Sequence, residues 1–140
     1  KIKFRGGKDA NKMLMRKLAS NFLLSGKMST TKQKAKAAQS IVEKLVTKAK
    51  THTEADQNFI LRNITAQSTM KILITEIAPQ LSQAKNGYTK IVNLGARQTD
   101  GAEKARLEWA YPVVSAVVKA KIKKVKQVKT EVIEKTEVKA

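Results

Sequence analysis

Apolar residues recur with a helical period through the first half of the chain. Met15, Leu18 and Phe22 are spaced as on one face of an α-helix, and Gly26 is a residue type that commonly ends one. Asp9 is predicted as the N-cap, because its carboxylate can accept hydrogen bonds from the first-turn amides. The pattern therefore predicts a first helix between Asp9 and Gly26.

A second helical pattern follows a short polar or β-type link at residues 28–31. It runs from residue 31 or 32 to residue 50. Aliphatic residues three or four positions apart predict its buried stripe. The stripe consists of Ala38, Ile41, Leu45 and Ala49, flanked by Val42 and Val46.

Two shorter helices are predicted beyond residue 52. Thr53 and Asp56 have the spacing of a capping box, with Asp in place of the usual Glu, so a third helix is expected to begin there. Its apolar residues are Phe59, Ile60 and Ile64. A fourth helix carries Met70, Leu73, Ile74 and Ile77, and Pro79 is expected to mark its end.

The pattern changes from helical to alternating after residue 86. Residues 88–94 are rich in β-formers, and Leu107 and Trp109 alternate with Arg106 and Glu108 farther on. Joined by a loop at 95–104, these segments predict an antiparallel hairpin that helices must cover, because a lone hairpin is marginal in water. The predicted fold class is therefore α+β, with helices on one face of a small sheet. Trp109 and Tyr88 are interpreted as core residues rather than base-stacking ones.

Charge is unevenly distributed along the 140 residues. The chain has 29 Lys+Arg and 11 Asp+Glu, a net charge of +18, and residues 1–50 hold 14 of the basic and 2 of the acidic side chains. Such an excess repels itself in a compact fold, and a polyanion is the simplest partner that would neutralise it. We expect a basic arm at residues 1–8, a core domain at 9–112 and a basic Val/Lys-rich extension at 113–140. The extension is expected to lie on RNA, pair with a neighbouring protein or act as a solubilising segment.

The residue types required by most catalytic and metal sites are scarce. The chain has no cysteine and one histidine, His52, which we place in an interhelical loop as a bystander. The carboxylates are scattered, and no phosphate-binding glycine motif occurs. We expect no enzyme, no cofactor, no metal site and no small-molecule substrate. No apolar run reaches the length of a membrane span, and residues 1–7 do not form a signal peptide, so no membrane partner is expected.

Three motifs resemble those of a known family. Residues 28–36 read Met-Ser-Thr-Thr-Lys-Gln-Lys-Ala-Lys, residues 86–91 read Asn-Gly-Tyr-Thr-Lys-Ile, and residues 97–102 read Arg-Gln-Thr-Asp-Gly-Ala, followed by Leu107 and Glu108. In order and spacing they are similar to the seventeenth protein of the bacterial large ribosomal subunit, over residues 1 to about 110. The chain departs from the family in its Lys-rich rather than Arg- and His-rich arm, and in the order Asp-Gly at residues 100–101.

The resemblance implies a two-layer fold with several helices on a small mixed sheet. It also implies a structural role in the large subunit near the polypeptide exit, bound to rRNA and beside other large-subunit proteins, in the cytoplasm. An organellar ribosome remains an alternative. We expect RNA contacts from basic and hydroxyl side chains in the arm, the first helix, the link and the start of the second helix, with Arg97 as a weaker candidate. These are Lys1, Lys3, Arg5, Lys8, Lys12, Arg16, Lys27, Thr30, Thr31, Lys32, Lys34 and Lys36.

Two other classes of protein share the high positive charge. A nucleoid-type DNA-binding protein is the main alternative, but it would be expected to show a recognition helix or an intercalating wedge, and neither is evident. A membrane-surface module needs Lys and Arg opposite bulky apolar residues on one helix. The first helix comes closest to that pattern, but its apolar face is better used against the core.

Neutralising the arm is expected to weaken the salt dependence of RNA binding. Replacing Lys3, Arg5 and Lys8 together by Gln should make the plot of log K against log salt less steep by about 2 to 3 units. Each phosphate contact that is lost means that fewer counterions are released on binding. Binding to large-subunit rRNA across a salt series measures the slope. An unchanged slope would remove the arm from the contact surface.

Overall fold

The computed structural model describes residues 6–64 and 66–113, so most of the predicted arm and nearly all of the predicted extension lie outside the described residues. Helices pack on one face of a three-stranded sheet, which confirms the predicted α+β class. In chain order the elements are α1 (Lys8–Ser25), β1 (Lys27–Thr31), α2 (Lys32–Thr51), α3 (Glu54–Asn63), α4 (α-helical Gln67–Ile72, π-helical Leu73–Ile77 and α-helical Ala78–Gln80), β2 (Thr89–Ala96) and β3 (Glu103–Trp109).

Helix α1 ends where predicted but begins earlier. Gly26 closes it in the left-handed conformation, with φ of 72°, and its amide donates to the Phe22 carbonyl. The N-cap is Gly7 and not Asp9, which lies inside the first turn. Gly7 has a φ of 30°, a conformation that glycine tolerates, and the Asn11 side chain donates to its carbonyl at 2.7 Å. Asp9 still favours the helix, because a carboxylate near the N-terminus complements the helix dipole.

Helix α2 has the predicted length, and its buried face is turned slightly from the predicted stripe. Ile41 is only half-buried. The rotation follows from packing, because α1, α3 and the sheet all contact α2 and together cover a wider face than one stripe. The fully covered residues are Ala35, Ala38, Val42, Leu45, Val46 and Ala49.

The predicted capping box at the start of α3 is confirmed. The Thr53 hydroxyl accepts from the Asp56 amide, and the Asp56 carboxylate accepts from the Thr53 amide. The same carboxylate, which is 5% exposed, pairs with the Lys48 ammonium at 2.8 Å and accepts from the Thr51 and Thr53 hydroxyls. Lys48 first, then the two hydroxyls, hold the pKa of Asp56 well below its ordinary value. The cluster joins the end of α2 to the start of α3.

Helix α4 includes Pro79 in its last turn, so the expected end is displaced by about one residue. A proline ring collides with the carbonyl four residues earlier in a regular α-helix. The five residues that precede Ala78 form a π-helical turn, which changes the spacing between Pro79 and the carbonyls of the preceding turn. The widened turn lets the helix run on to Gln80.

The sheet has the order β1-β3-β2, and both pairs are antiparallel. The predicted hairpin is therefore confirmed as β2 and β3, with a bulge between Asn93 and Gly95. The expected mixed sheet is wrong for the described strands, because residues 27–31 adopt the β-type alternative of the predicted link and run against β3. Among these three strands, no crossover connection joins two neighbours in the same direction, which a parallel pair would require.

The core lies between the helices and the inner face of the sheet, and α3 and α4 contribute Ile60, Leu73 and Ile77 to it. Ala105, Leu107 and Trp109 alternate inward along β3, and Trp109 contacts Phe22 with ring centroids 4.7 Å apart and planes tilted by 47°. Tyr88 is 1% exposed. The interpretation of Tyr88 and Trp109 as core residues is confirmed.

One face of α2 fixes the chain that leads into β2. The Glu43 carboxylate accepts from the Tyr88 amide at 3.2 Å, from the Thr89 amide at 2.9 Å and from the Thr89 hydroxyl at 2.8 Å. The Gln39 side chain donates to the Thr89 carbonyl at 3.0 Å. The Lys50 ammonium donates to the Tyr88 hydroxyl at 3.3 Å and lies 5.0 Å from the centre of its ring. Three side chains of one helix thus position the first residues of the hairpin.

Removing the Glu43 carboxylate should destabilise the whole fold. Glu43→Ala leaves two backbone amides and a buried hydroxyl without their acceptor, so the free energy of unfolding should fall by about 2 to 4 kcal/mol, with a smaller loss for Glu43→Gln. Urea unfolding followed by circular dichroism measures the change. Lys44→Ala, at the next and exposed position of the same helix, is the control and should stay within about 0.5 kcal/mol. Equal midpoints for all variants would contradict the role of Glu43.

Stability should decrease in acid because of Asp56. A carboxyl whose pKa is lower in the folded than in the unfolded chain stabilises the fold above its unfolded pKa, and this stabilisation is lost as pH falls below the ordinary value of 3.8. Between roughly pH 5 and pH 2, the thermal unfolding midpoint of the unmodified chain should therefore fall more steeply than the midpoint of Asp56→Asn. Asp9→Asn, at an exposed carboxyl without a capping hydrogen bond, is the matched control. Parallel curves for all three proteins would exclude Asp56 as the source.

Candidate nucleic-acid interface

The junction between β1 and α2 collects several of the predicted site residues without an intervening loop. Thr31 ends the strand and is also the N-cap of α2, with φ of −70° and ψ of 147°. Its side chain makes no capping hydrogen bond, and the first turn of α2 contains no acidic residue. Uncapped amides and the positive end of the helix dipole favour an anion at such a position. The first five residues of α2 include three lysines, Lys32, Lys34 and Lys36.

Lys32 already has an anionic partner within the chain. Its ammonium lies 2.8 Å from the Glu103 carboxylate at the start of β3, and the two side chains are 35% and 67% exposed. The hydrogen bond from Lys32 and its charge, with a smaller contribution from Lys36, lower the pKa of Glu103. Exposed ion pairs of this kind contribute little stability, so a phosphate can replace the carboxylate at low cost.

The structure separates the other predicted residues into three groups. Lys8, Lys12, Lys27 and Lys36 are exposed, and Thr30 and Lys34 are half-buried. Arg97 lies near the tip of the β2–β3 hairpin, where its guanidinium is 3.4 Å from the Asp100 carboxylate. The arm residues Lys1, Lys3 and Arg5 fall outside the described residues.

Arg16 has a structural contact that the sequence did not indicate. Its guanidinium donates to the carbonyl of Arg62 near the end of α3. The residue is half-buried, and it joins α1 to α3 across 46 positions of sequence. Its role as an RNA contact stays a prediction, and the hydrogen bond gives it a second, packing role.

The sequence did not indicate the basic residues on the open face of the sheet, which is the face opposite the helices. The β3 residues that alternate with the core point away from the helices, and Lys104, Arg106 and Lys90 of the neighbouring strand occupy this face. The alternation around Arg106 was visible in the sequence. The pairing of β1 with β3 joins distant parts of the chain, so the local sequence pattern could not predict the extent of this face.

His52 lies where it was expected, between α2 and α3. It is exposed and caps α2 in the left-handed conformation, with φ of 50°. Within residues 6–64 and 66–113, no group of three or more histidines and carboxylates is arranged to hold a metal ion. Over the same part of the chain, no helix is long and apolar enough to cross a membrane.

The fold and the distribution of charge define a small, strongly basic α+β protein. The sequence profile described as ribosomal protein L17 matches residues 14–110. The chain is 41% identical to the large ribosomal subunit protein bL17 of Sulfurihydrogenibium sp. (strain YO3AOP1), over 78% of this chain and 92% of that protein. It is 38% identical to the bL17 of Clostridium botulinum (strain Hall), over 71% and 88%. This chain belongs to the ribosomal protein L17 family.

A third relative is longer than this chain. The bL17 of Cutibacterium acnes is 38% identical over 74% of this chain, and the match spans 58% of that protein. The family is one of structural, non-enzymatic proteins, which agrees with the expectation drawn from the scattered carboxylates and the single histidine.

Proposed function

We propose that this chain is a structural constituent of the large ribosomal subunit, where it binds and stabilises large-subunit rRNA. The observation that carries the proposal is the family match over residues 14–110, which includes β1, α2 and the hairpin. The matched relatives are named as proteins of the large ribosomal subunit. The net charge of +18 supports a polyanionic partner.

The finer placement in the ribosome rests on the resemblance of the three sequence motifs. We propose a position near the polypeptide exit region, beside other large-subunit proteins, in a cytoplasmic ribosome. The exposed lysines of α1 and the partly exposed lysines of the β1–α2 junction supply a basic surface for this position.

The mechanism that we propose is charge neutralisation between closely packed RNA helices. Phosphates that approach one another repel, and lysines placed between them release bound counterions and lower that repulsion. The folded body sets the position of these lysines and recognises the shape of RNA more than its sequence.

The β1–α2 junction adds a second element to this mechanism. At the junction, backbone amides of the α2 N-terminus and the Thr31 hydroxyl supply hydrogen-bond donors to the same phosphates. Lys32 exchanges the Glu103 carboxylate for a phosphate when RNA binds.

Sedimentation of the tagged full chain tests the proposal. In a sucrose gradient of cell lysate at high salt, the protein should migrate with the large subunit under conditions that remove loosely bound basic proteins. Release to the top of the gradient, or association with DNA, would overturn the proposal and favour the nucleoid alternative.

A matched pair of variants locates the contact. Replacing Lys32, Lys34 and Lys36 by Gln should release the protein at lower salt, because roughly 2 to 3 counterions fewer are displaced on binding. Replacing Lys44, Lys71 and Lys85 by Gln removes the same charge from exposed positions on α2, α4 and the loop after it, and should leave the release point nearly unchanged. Equal effects of the two triples would exclude the junction as a specific contact.

A further inference from the structure

Helices cover one face of the sheet, and within residues 6–64 and 66–113 no helix packs on the other, which we call the open face. Because paired residues of antiparallel strands point to the same side, the register defines the open face in rows. One row is Lys27, Glu108 and Lys90, the next is Ser29, Arg106 and Val92, and the third is Thr31, Lys104 and Gly95. Neighbouring rows are roughly 7 Å apart, since every second residue of a strand points outward.

Cations dominate this open face. It holds four basic side chains, from Lys27, Lys90, Lys104 and Arg106, and one carboxylate, from Glu108. The Glu108 carboxylate lies 3.4 Å from the Arg106 guanidinium and 4.0 Å from the Lys90 ammonium. It therefore orients two of the cations but neutralises only one charge. The Lys90 and Arg106 side chains remain 57% and 41% exposed.

We propose that this open sheet face binds the phosphate backbone of folded rRNA, as a second contact surface besides the arm and the β1–α2 junction. The inference rests on the proposed function and names a further site for it. Thr31 belongs to both surfaces, as the last residue of β1 and the N-cap of α2, so the two are continuous. One RNA segment that meets the junction reaches the open face without leaving the protein.

The composition of the face selects backbone and not bases. None of the nine outward positions in these three rows is aromatic, so the stacking platforms that hold single-stranded bases are missing from them. Arg106 supplies a planar guanidinium that matches two phosphate oxygens, and the Ser29 and Thr31 hydroxyls are further donors. Four cations on one face repel a second copy of the same face, which argues against a symmetric dimer through it.

Binding of the full chain to folded large-subunit rRNA over a potassium chloride series tests the inference. Replacing Lys90, Lys104 and Arg106 together by Gln should make the plot of log K against log salt less steep by about 2 to 3 units. Lys44, Lys71 and Lys85 replaced by Gln remove the same net charge and should change the slope by less than about 1 unit. The charge-preserving triple Lys90→Arg, Lys104→Arg and Arg106→Lys should restore the slope.

A single variant protects the test against loss of folding. Among the described residues, Lys104 makes no ion pair, so Lys104→Gln disturbs no internal contact of this kind and should lower the slope by about 1 unit. An unmodified chain that fails to bind rRNA would overturn the proposed function. If the unmodified chain binds and the open-face and control triples show the same salt dependence of binding, this inference alone is overturned. Normal rRNA binding by the open-face triple, with loss from assembled subunits, would assign the face to a neighbouring acidic protein.

Discussion

The carboxylate of Glu43 is the contact on which the arrangement of helices and sheet depends. It binds the backbone at the point where the chain enters β2, while β1 is joined directly to the start of the same helix. Helix α2 therefore holds the sheet at two places, through a covalent junction at one edge strand and a carboxylate at the other. The central strand β3 lies between them and is positioned by both.

This arrangement also determines which charges are free to meet a partner. The inner face of α2 is occupied by aliphatic residues and by the side chains that bind the start of β2. The lysines at its N-terminus stay at the surface, where Lys32 pairs with Glu103 from the start of β3. These lysines are carried by a helix joined directly to a strand, which favours a fixed geometry towards the proposed RNA partner.

Local signals in the sequence predicted the helices, and long-range contacts account for what it missed. The capping box of Thr53 and Asp56 involves residues three apart, and the periodicity of α2 extends over five turns, so both were readable. Strand β1 is short and polar, and it is a strand only because it pairs with β3 much later in the chain. The hydrogen bond of Arg16 to α3 and the Lys32–Glu103 pair depend on tertiary structure in the same way.

The strand order has a consequence for the way in which the protein folds during its own synthesis. Of the three described strands the middle one is made last, so neither of the other two has its partner until Trp109 has left the ribosome. Helices α1 to α4 can form from neighbouring residues, whereas the sheet must close across nearly the whole domain. A truncated nascent chain that ends before β3 exposes both edge strands and the Phe22 side of the core. Such a chain is prone to aggregate, and completion of β3 is the step that closes the fold.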